Sequence, residues 1–537
     1  MRTVFIWLCF AVEGLSQLQD VTASRIKAHV KFLSSDLLEG RGVGTRGGDL
    51  AADYIASMFA VAGAQPAGEN GTYFQQVPLV GVKTGGDSTL WVTGKGKPVD
   101  FKWQDEWVGS TFRQQPRQDF DAEMVFVGHG IVAPEENWND FKDVDVRGKI
   151  IVLFTNEPQP DNPDVFKGKT LTYYGRWVYK YEQAARMGAL GALIVHTTPT
   201  AGYGWQVVRN SWSKEDPQVK VEPNQYALAF AGWMTQDAGD KLFALAGHSV
   251  DELMKAADSR DFRPIPLGLH LRGRLNETIR QIQTKNVVAM IPGSDPKLKN
   301  EYVMYTAHWD HLGIGVTVNG DTIYNGAIDN ATGCGIILEI ARAWGSLEQK
   351  PRRSALFLAV TAEEAGLRGA EYYAKRPLYP LGKTAIDINY DALYPWGRTK
   401  DIETAGAERT TAWSMVQEAA KRFQYEITPD ARPEQGSYYR SDQFMLARGG
   451  VPAIEVKMGS LFYGKSSQYG AEMFQEYNTL HYHQPSDQFH EDWDFSGIQQ
   501  AAGFGMLLGM NVANTEMMPT WNPGDEFLPA RIASGVK

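Results

Sequence analysis

An α/β fold is predicted for the larger part of the chain, on three observations. Strand-like and helix-like segments alternate from Lys285 to about Asn514, the mark of a sheet covered by helices. Polar, chemically capable residues recur where those strands end. The 537 residues also exceed what one ordinary core accommodates, so at least two domains are expected.

Taken in order, the chain opens on an apolar run, Val4 to Val12, behind a single positive residue, Arg2. Small residues follow at Gly14 and Ser16, a pattern that reads as an export signal over residues 1–16 with cleavage after Ser16. No later stretch reaches the ~20 apolar residues that a membrane span requires. Residues 21 to 62 read as helical, interrupted by the glycine-rich stretch Glu39 to Gly48. That stretch is a turn region and not a phosphate loop, because no Gly-Lys-Ser/Thr follows it and no strand precedes it. Short alternating runs such as Thr89 to Thr93 continue to about residue 118 as strands.

From Phe120 to about Pro264 a separate module is expected. Ala122 to Val127, Lys149 to Phe154 and Ala192 to His196 are its strands, with a helix over Tyr179 to Met187. The main α/β region then supplies strands Asn286–Ile291, Tyr302–Ala307, Ala355–Thr361, Ala385–Tyr390 and Ala453–Val456. Its helices are Ile336–Trp344, Gly369–Lys375, Thr411–Phe423 and Phe495–Val512. The domain plan is therefore 21–118 joined to 270–514, an insertion over 119–269, and a tail over 515–537.

Composition narrows the function. A hydrophobic content of 43% with 12% aromatic residues suits a globular protein, and the net charge of −10 repels nucleic acid. Of two cysteines, Cys9 lies in the export segment, which leaves Cys334 without an internal partner. Cys334 follows Gly333 at the start of an apolar helix, where a small buried residue is expected.

The chemistry sits at the strand ends. Tyr302–Ala307 runs into His308-Trp309-Asp310-His311, Ala355–Thr361 into Glu363-Glu364, and Ala385–Tyr390 into Asp391. Ligands of open α/β sheets collect at the carboxyl ends of strands, so these groups have a route to one site. Asp329-Asn330 precedes the helix that begins near Thr332, where a simple helix cap is the alternative reading. Two adjacent carboxylates at a buried rim repel each other unless a cation or a proton separates them. With a metal present, one carboxylate binds it and the other takes a proton from the attacking water, returning it to the leaving amine. Imidazole with carboxylate suits zinc, and also cobalt or manganese.

In this order the residues resemble the co-catalytic zinc aminopeptidases of the clan that also holds glutamate carboxypeptidase and the transferrin receptor. The family pattern is met by His308-Trp309-Asp310, Asp329-Asn330-Ala331-Thr332-Gly333, Glu363-Glu364, Asp391 and Tyr482-His483. Further likeness lies in Phe32 to Asp36, in Arg41 to Thr45, and in Arg440-Ser441-Asp442 with Gly450-Val451-Pro452-Ala453. The central module resembles a protease-associated domain through Gly148 to Val152 and Ala184 to Ile194.

The resemblance implies a three-layer αβα fold with a mixed central sheet and an inserted β-rich protease-associated domain. It implies two zinc ions per chain, with Asp329 as the bridge, His308 and Asp391 completing one ion, and Glu364 and His483 the other. Glu363 is then the general base and Asp310 a carboxylate that orients His308. Tyr438 and Tyr439 lie where the family places groups near substrate. His311 has no evident claim to the same metal, and His481 and His490 flank His483 without matching the pattern.

The function implied is an exported, periplasmic or extracellular, aminopeptidase acting on peptides. A carboxypeptidase or dipeptidase of the same clan is the alternative, disfavoured by the short tail after Asn514 and the lack of an arginine cluster for an acidic substrate. A non-catalytic binding relative of the transferrin-receptor type is disfavoured because all six metal and base positions are filled, and a single-zinc glutaminyl cyclase-like enzyme by the inserted module. The export reading predicts that N-terminal sequencing of secreted protein begins near Gln17; retention of Met1 in the cytoplasm would exclude it.

Overall fold

The computed structural model describes residues 21–536 apart from 95, 159–165, 169 and 202–203, so the export segment and Cys9 lie outside the described residues. The described chain forms two compact units. The first takes residues 21–77, 283–431 and 440–536, and the second takes 78–282 and 432–439.

A mixed sheet runs through the first unit. Its centre is four parallel strands in the spatial order Ser354–Val360, Tyr302–His308, Thr384–Tyr390 and Ala453–Met458. Antiparallel neighbours flank them: the end of Ile265–Ile291 beside Ser354–Val360, and Asp401–Ala405 beside Ala453–Met458. Every residue of the first three parallel strands is buried. Strands covered on both faces need apolar side chains at successive positions, which is why these segments read as continuous apolar runs. The four parallel strands agree with those expected to within two residues at each end, whereas the expected Asn286–Ile291 is the last part of the longer Ile265–Ile291. The strand Asp401–Ala405 and the hairpin Gly313–Val318/Asp321–Tyr324 were not foreseen, being short and without a continuous apolar run.

Val303, Tyr305 and Ala307 alternate onto one face, in a core shared with helices Thr332–Ser346 and Ser496–Asn514. Helices Ala23–Leu33 and Arg46–Val61 pack on Thr332–Ser346. Helix Gln443–Arg448 packs on Thr384–Tyr390 and Ala453–Met458, and helix Arg368–Lys375 packs against it. The unit is thus α/β with a mixed sheet, as predicted. Its tail is integral to it: Trp521 is buried and its indole donates to the Gly450 carbonyl at 3.1 Å.

Close packing of the last long helix depends on two glycines one turn apart. A Cβ at Gly505 would lie 1.6 Å from the Tyr390 hydroxyl, and one at Gly509 would lie 1.9 Å from the Tyr305 hydroxyl. The Tyr305 hydroxyl donates to the Gly505 carbonyl at 3.2 Å. The two phenols therefore occupy the space that side chains on this helix would fill.

The second unit has its own sheet, with residues 124–126, 150–154, 191–195 and 230–234 parallel in that order. Ile150, Val152 and Phe154 serve one core cluster, whereas Ile151 and Leu153 serve another, the two faces of one strand. Helices Trp177–Arg186, Gln236–Leu245 and Val250–Ala257 accompany the strands. The unit begins well before residue 119 because strands Thr89–Thr93 and Trp107–Ser110 pair with residues 270–274 and 231–234 respectively. Its return boundary falls inside the single long strand Ile265–Ile291 and not at 269.

Gly505→Val should lower stability by about 1–3 kcal/mol, the usual cost of overpacking a filled core. A urea midpoint unchanged within error would contradict the packing described.

Candidate metal centre

The carboxyl ends of the parallel strands bring the predicted residues together. His308 is the last residue of Tyr302–His308, Glu363 and Glu364 follow Ser354–Val360, and Asp391 follows Thr384–Tyr390. Asp329 comes from the turn Ala327–Ala331, which leads into helix Thr332–Ser346, and His483 from the segment after helix Tyr469–Leu480.

Asp329 lies between two imidazoles. Its Oδ1 is 3.2 Å from His308 Nε2, and its Oδ2 is 3.3 Å from His483 Nε2. His308 Nε2 is also 3.1 Å from Asp391 Oδ1, and His483 Nε2 is 3.0 Å from Glu364 Oε2. The two expected triads, His308/Asp391 and His483/Glu364, thus meet at one shared carboxylate. Tetrahedral zinc with ligands at ~2.0–2.1 Å sets neighbouring donor atoms about 3.3 Å apart, so spacings of this size fit the ion. The donor set, nitrogen with carboxylate oxygen, fits it too.

Electrostatics favour a cation here. Burial opposes charge on His308, yet Asp391 and Glu363 hold its imidazole well above the ordinary value. His483 behaves alike: against the effect of burial, Glu364 and Asp329 raise it to about 10. The carboxylates thus draw positive charge toward both rings, which is the surrounding a bound cation would need. Burial pushes the Glu363 carboxyl well up, with Asp391, Glu364 and Asp442 adding to the rise and His308 opposing it. Glu363 is therefore the carboxyl of the adjacent pair most disposed to take a proton. For Glu364 burial is overcome by His483 and His311, and its value falls to about 2.

Neighbours fix the cluster. His308 Nδ1 lies 3.1 Å from the main-chain oxygen of Asp310, so it donates there when Nε2 faces a metal. The Asp310 carboxylate stands 4.0 Å from that nitrogen and instead accepts the Glu363 amide at 3.1 Å. Asp310 thus orients His308 through its backbone and Glu363 through its side chain. Tyr482 stacks on His483, with centroids 3.9 Å apart. Cys334 is buried, as expected, with its thiol pushed up to about 12 by burial.

Three positioning groups escaped the sequence reading. Asp487 accepts the Ile328 amide at 3.0 Å and the Asp329 amide at 3.1 Å, holding the turn that carries the bridge. Arg41 is buried and donates to four carbonyls, those of Trp309, Leu33, Asn325 and Gly326. It grips both loops that carry ligands, a task invisible in a glycine-rich turn read alone. His311 is a correction: it had no evident claim to the metal, yet its Nδ1 lies 2.5 Å from Glu364 Oε1. By contrast, His481 pairs with Ser486 and His490 lies against Trp493, outside the cluster. Tyr438 and Tyr439, the expected substrate contacts, belong to the second unit, where Tyr439 neighbours Tyr173 at 6.5 Å.

Comparison with known proteins adds a family to this geometry. Residues 286–502, the stretch that contains every expected metal ligand, match peptidase family M28. The chain is 28% identical over 171 residues to aminopeptidase NAALADL1 of Mus musculus, a match covering 29% of this chain and 21% of that protein. It is 26% identical over 184 residues to a probable leucine aminopeptidase 2 of Aspergillus oryzae, covering 34% of each. The chain thus spans between about a fifth and a third of the curated relatives it matches. Its fold is similar to that of an aminopeptidase from Aneurinibacillus sp. strain AM-1, at a TM-score of 0.50 and 18% identity, covering 94% of this chain and 97% of that one.

Arg41→Met leaves several buried carbonyls without a donor, at roughly 1–3 kcal/mol for each that stays unpaired. Urea unfolding with chelator present should show a loss above about 3 kcal/mol; a loss near zero would remove Arg41 from its clamping role.

Proposed function

We propose that the chain is an exported zinc-dependent aminopeptidase holding two zinc ions, with Asp329 as bridge, His308 and Asp391 on one ion, and Glu364 and His483 on the other. The observation that carries this reading is the placement of the two Asp329 oxygens, one toward each imidazole. The aminopeptidase names of its M28 relatives support the direction of attack on the peptide. Among the described residues no helix is long and apolar enough to cross a membrane.

Zinc held by these residues supplies Lewis acidity, drawing electron density from a peptide carbonyl and making an attacking water more acidic. The chain's own part is the proton. Glu363 Oε2 lies 3.9 Å from His308 Nε2, close beside the other ligand atoms. From there Glu363 takes the proton of the attacking water and passes it to the leaving amine. Asp310 keeps that carboxylate in place through the Glu363 amide. The inserted unit acts in this reading as a protease-associated module that controls access and takes no part in the chemistry.

Purified protein should release reporter groups from aminoacyl substrates bearing a free N-terminus, lose this on chelation and regain it with zinc. Cleavage of N-blocked peptides alone would replace the reading with a carboxypeptidase. Glu363→Gln should cut kcat by ~10²–10⁴-fold, the range for loss of a general base, while zinc content stays near wild type. Asp329→Asn should weaken both ions at once; two tightly held zincs in that variant would remove the bridge assignment.

A further inference from the structure

Strands buried on both faces are ordinarily apolar throughout, yet three of the four central strands carry a polar side chain at one level. Thr306, Asn389 and Glu455 are cross-strand partners in register, Thr306 beside Asn389 and Asn389 beside Glu455. All three are buried. Thr306 stands two residues before His308, and Asn389 two before Asp391. The row therefore lies about 6–7 Å behind the ligand-bearing ends, on the face of the sheet opposite Tyr305 and Ala307.

Hydrogen bonds join the row. The Thr306 hydroxyl donates to Asn389 Oδ1 at 2.9 Å. Asn389 Nδ2 donates to Ser441 Oγ and to Gln443 Oε1, each at 2.9 Å. Gln443 Nε2 donates in turn to Glu455 Oε2 at 3.2 Å, and Lys457 Nζ lies 3.1 Å from the same oxygen. Asn389 thus has its carbonyl and both amide hydrogens engaged. A neighbouring strand holds it on one side, and the segment entering helix Gln443–Arg448 holds it on the other.

Stability alone does not account for such a row. Replacing a buried hydrogen-bonded pair by apolar groups of the same shape is often close to neutral, whereas a fully paired network fixes the atoms that it joins. What this network fixes is the setting of Tyr302–His308 against Thr384–Tyr390, sideways and lengthwise. Those strands deliver His308 and Asp391, whose Nε2 and Oδ1 stand 3.1 Å apart.

We propose that Asn389, locked by Thr306 and Gln443, is a positioning residue that sets the separation of His308 and Asp391, and with it the affinity for the ion that these two hold. The inference rests on the reading of the cluster as a two-zinc site.

The test is competitive zinc titration against a chromophoric chelator, on the full chain and on its Thr306→Val, Thr306→Ser and Asn389→Leu variants. Valine keeps the branched shape of threonine and loses the hydroxyl, whereas serine keeps the hydroxyl and loses the methyl group. Thr306→Val and Asn389→Leu should each weaken one of the two zincs by about 10–100-fold, the range for groups that orient metal ligands. Thr306→Ser should hold both zincs with affinities close to wild type. A role in packing alone reverses that order, with serine the more damaging change. Two zincs of wild-type affinity in Thr306→Val would overturn the proposal, as would a loss in Thr306→Ser as large as that in Thr306→Val. Wild-type protein that binds fewer than two zincs would instead overturn the two-zinc reading beneath it. Because Thr306→Val conserves shape, the outcome does not hang on the folding of Asn389→Leu.

Discussion

Asp329 faces two imidazoles at once, and most of the surrounding structure exists to keep it there. Burial works against the Asp329 carboxylate and the imidazoles of His308 and His483 hold it well below the ordinary value, while its place between them is fixed from outside the cluster. Asp487 does this by accepting the amides of Ile328 and Asp329, and Arg41 by gripping the carbonyls just upstream, at Asn325 and Gly326. The same guanidinium holds Trp309, the residue after His308. One side chain therefore ties together the two loops whose separation sets the distance from His308 to Asp329.

The sheet supplies the remaining spacing. Parallel strands lie about 4.8 Å apart, so ligands at the ends of three adjacent strands arrive within a few ångströms of each other without any special loop. Ser354–Val360, Tyr302–His308 and Thr384–Tyr390 are such neighbours, and they deliver the glutamate pair, His308 and Asp391. Full burial of those strands makes the platform stiff, and the glycine face of helix Ser496–Asn514 seats directly on two of their tyrosines.

Much of this was legible in the sequence, for physical reasons that differ by residue. The central strands showed as unbroken apolar runs because both of their faces are covered. His308, Glu363, Glu364 and Asp391 were legible because each interrupts such a run at its end. Arg41, His311 and Asp487 were not, since each acts on residues far away in the chain through loops that carry no periodic pattern. Arg41, for instance, bonds residues 268 to 285 positions distant. The domain boundary was missed because Ile265–Ile291 is one uninterrupted strand whose residues divide between the two units, with no glycine or proline break at Ile282.

The span of the Arg41 and Asp487 contacts has a consequence for the order in which the molecule comes into being. A chain made from its N-terminus exposes Arg41 first, yet three of the four carbonyls it binds arrive with residues 309 to 326 and the carboxylate that holds the Asp329 turn only with residue 487. Until nearly all of the chain has emerged, the cluster lacks both His483 and the group that shapes its bridge. Assembly of the cluster is therefore a late event in biogenesis, and a nascent chain carries scattered histidines and acids but no assembled centre.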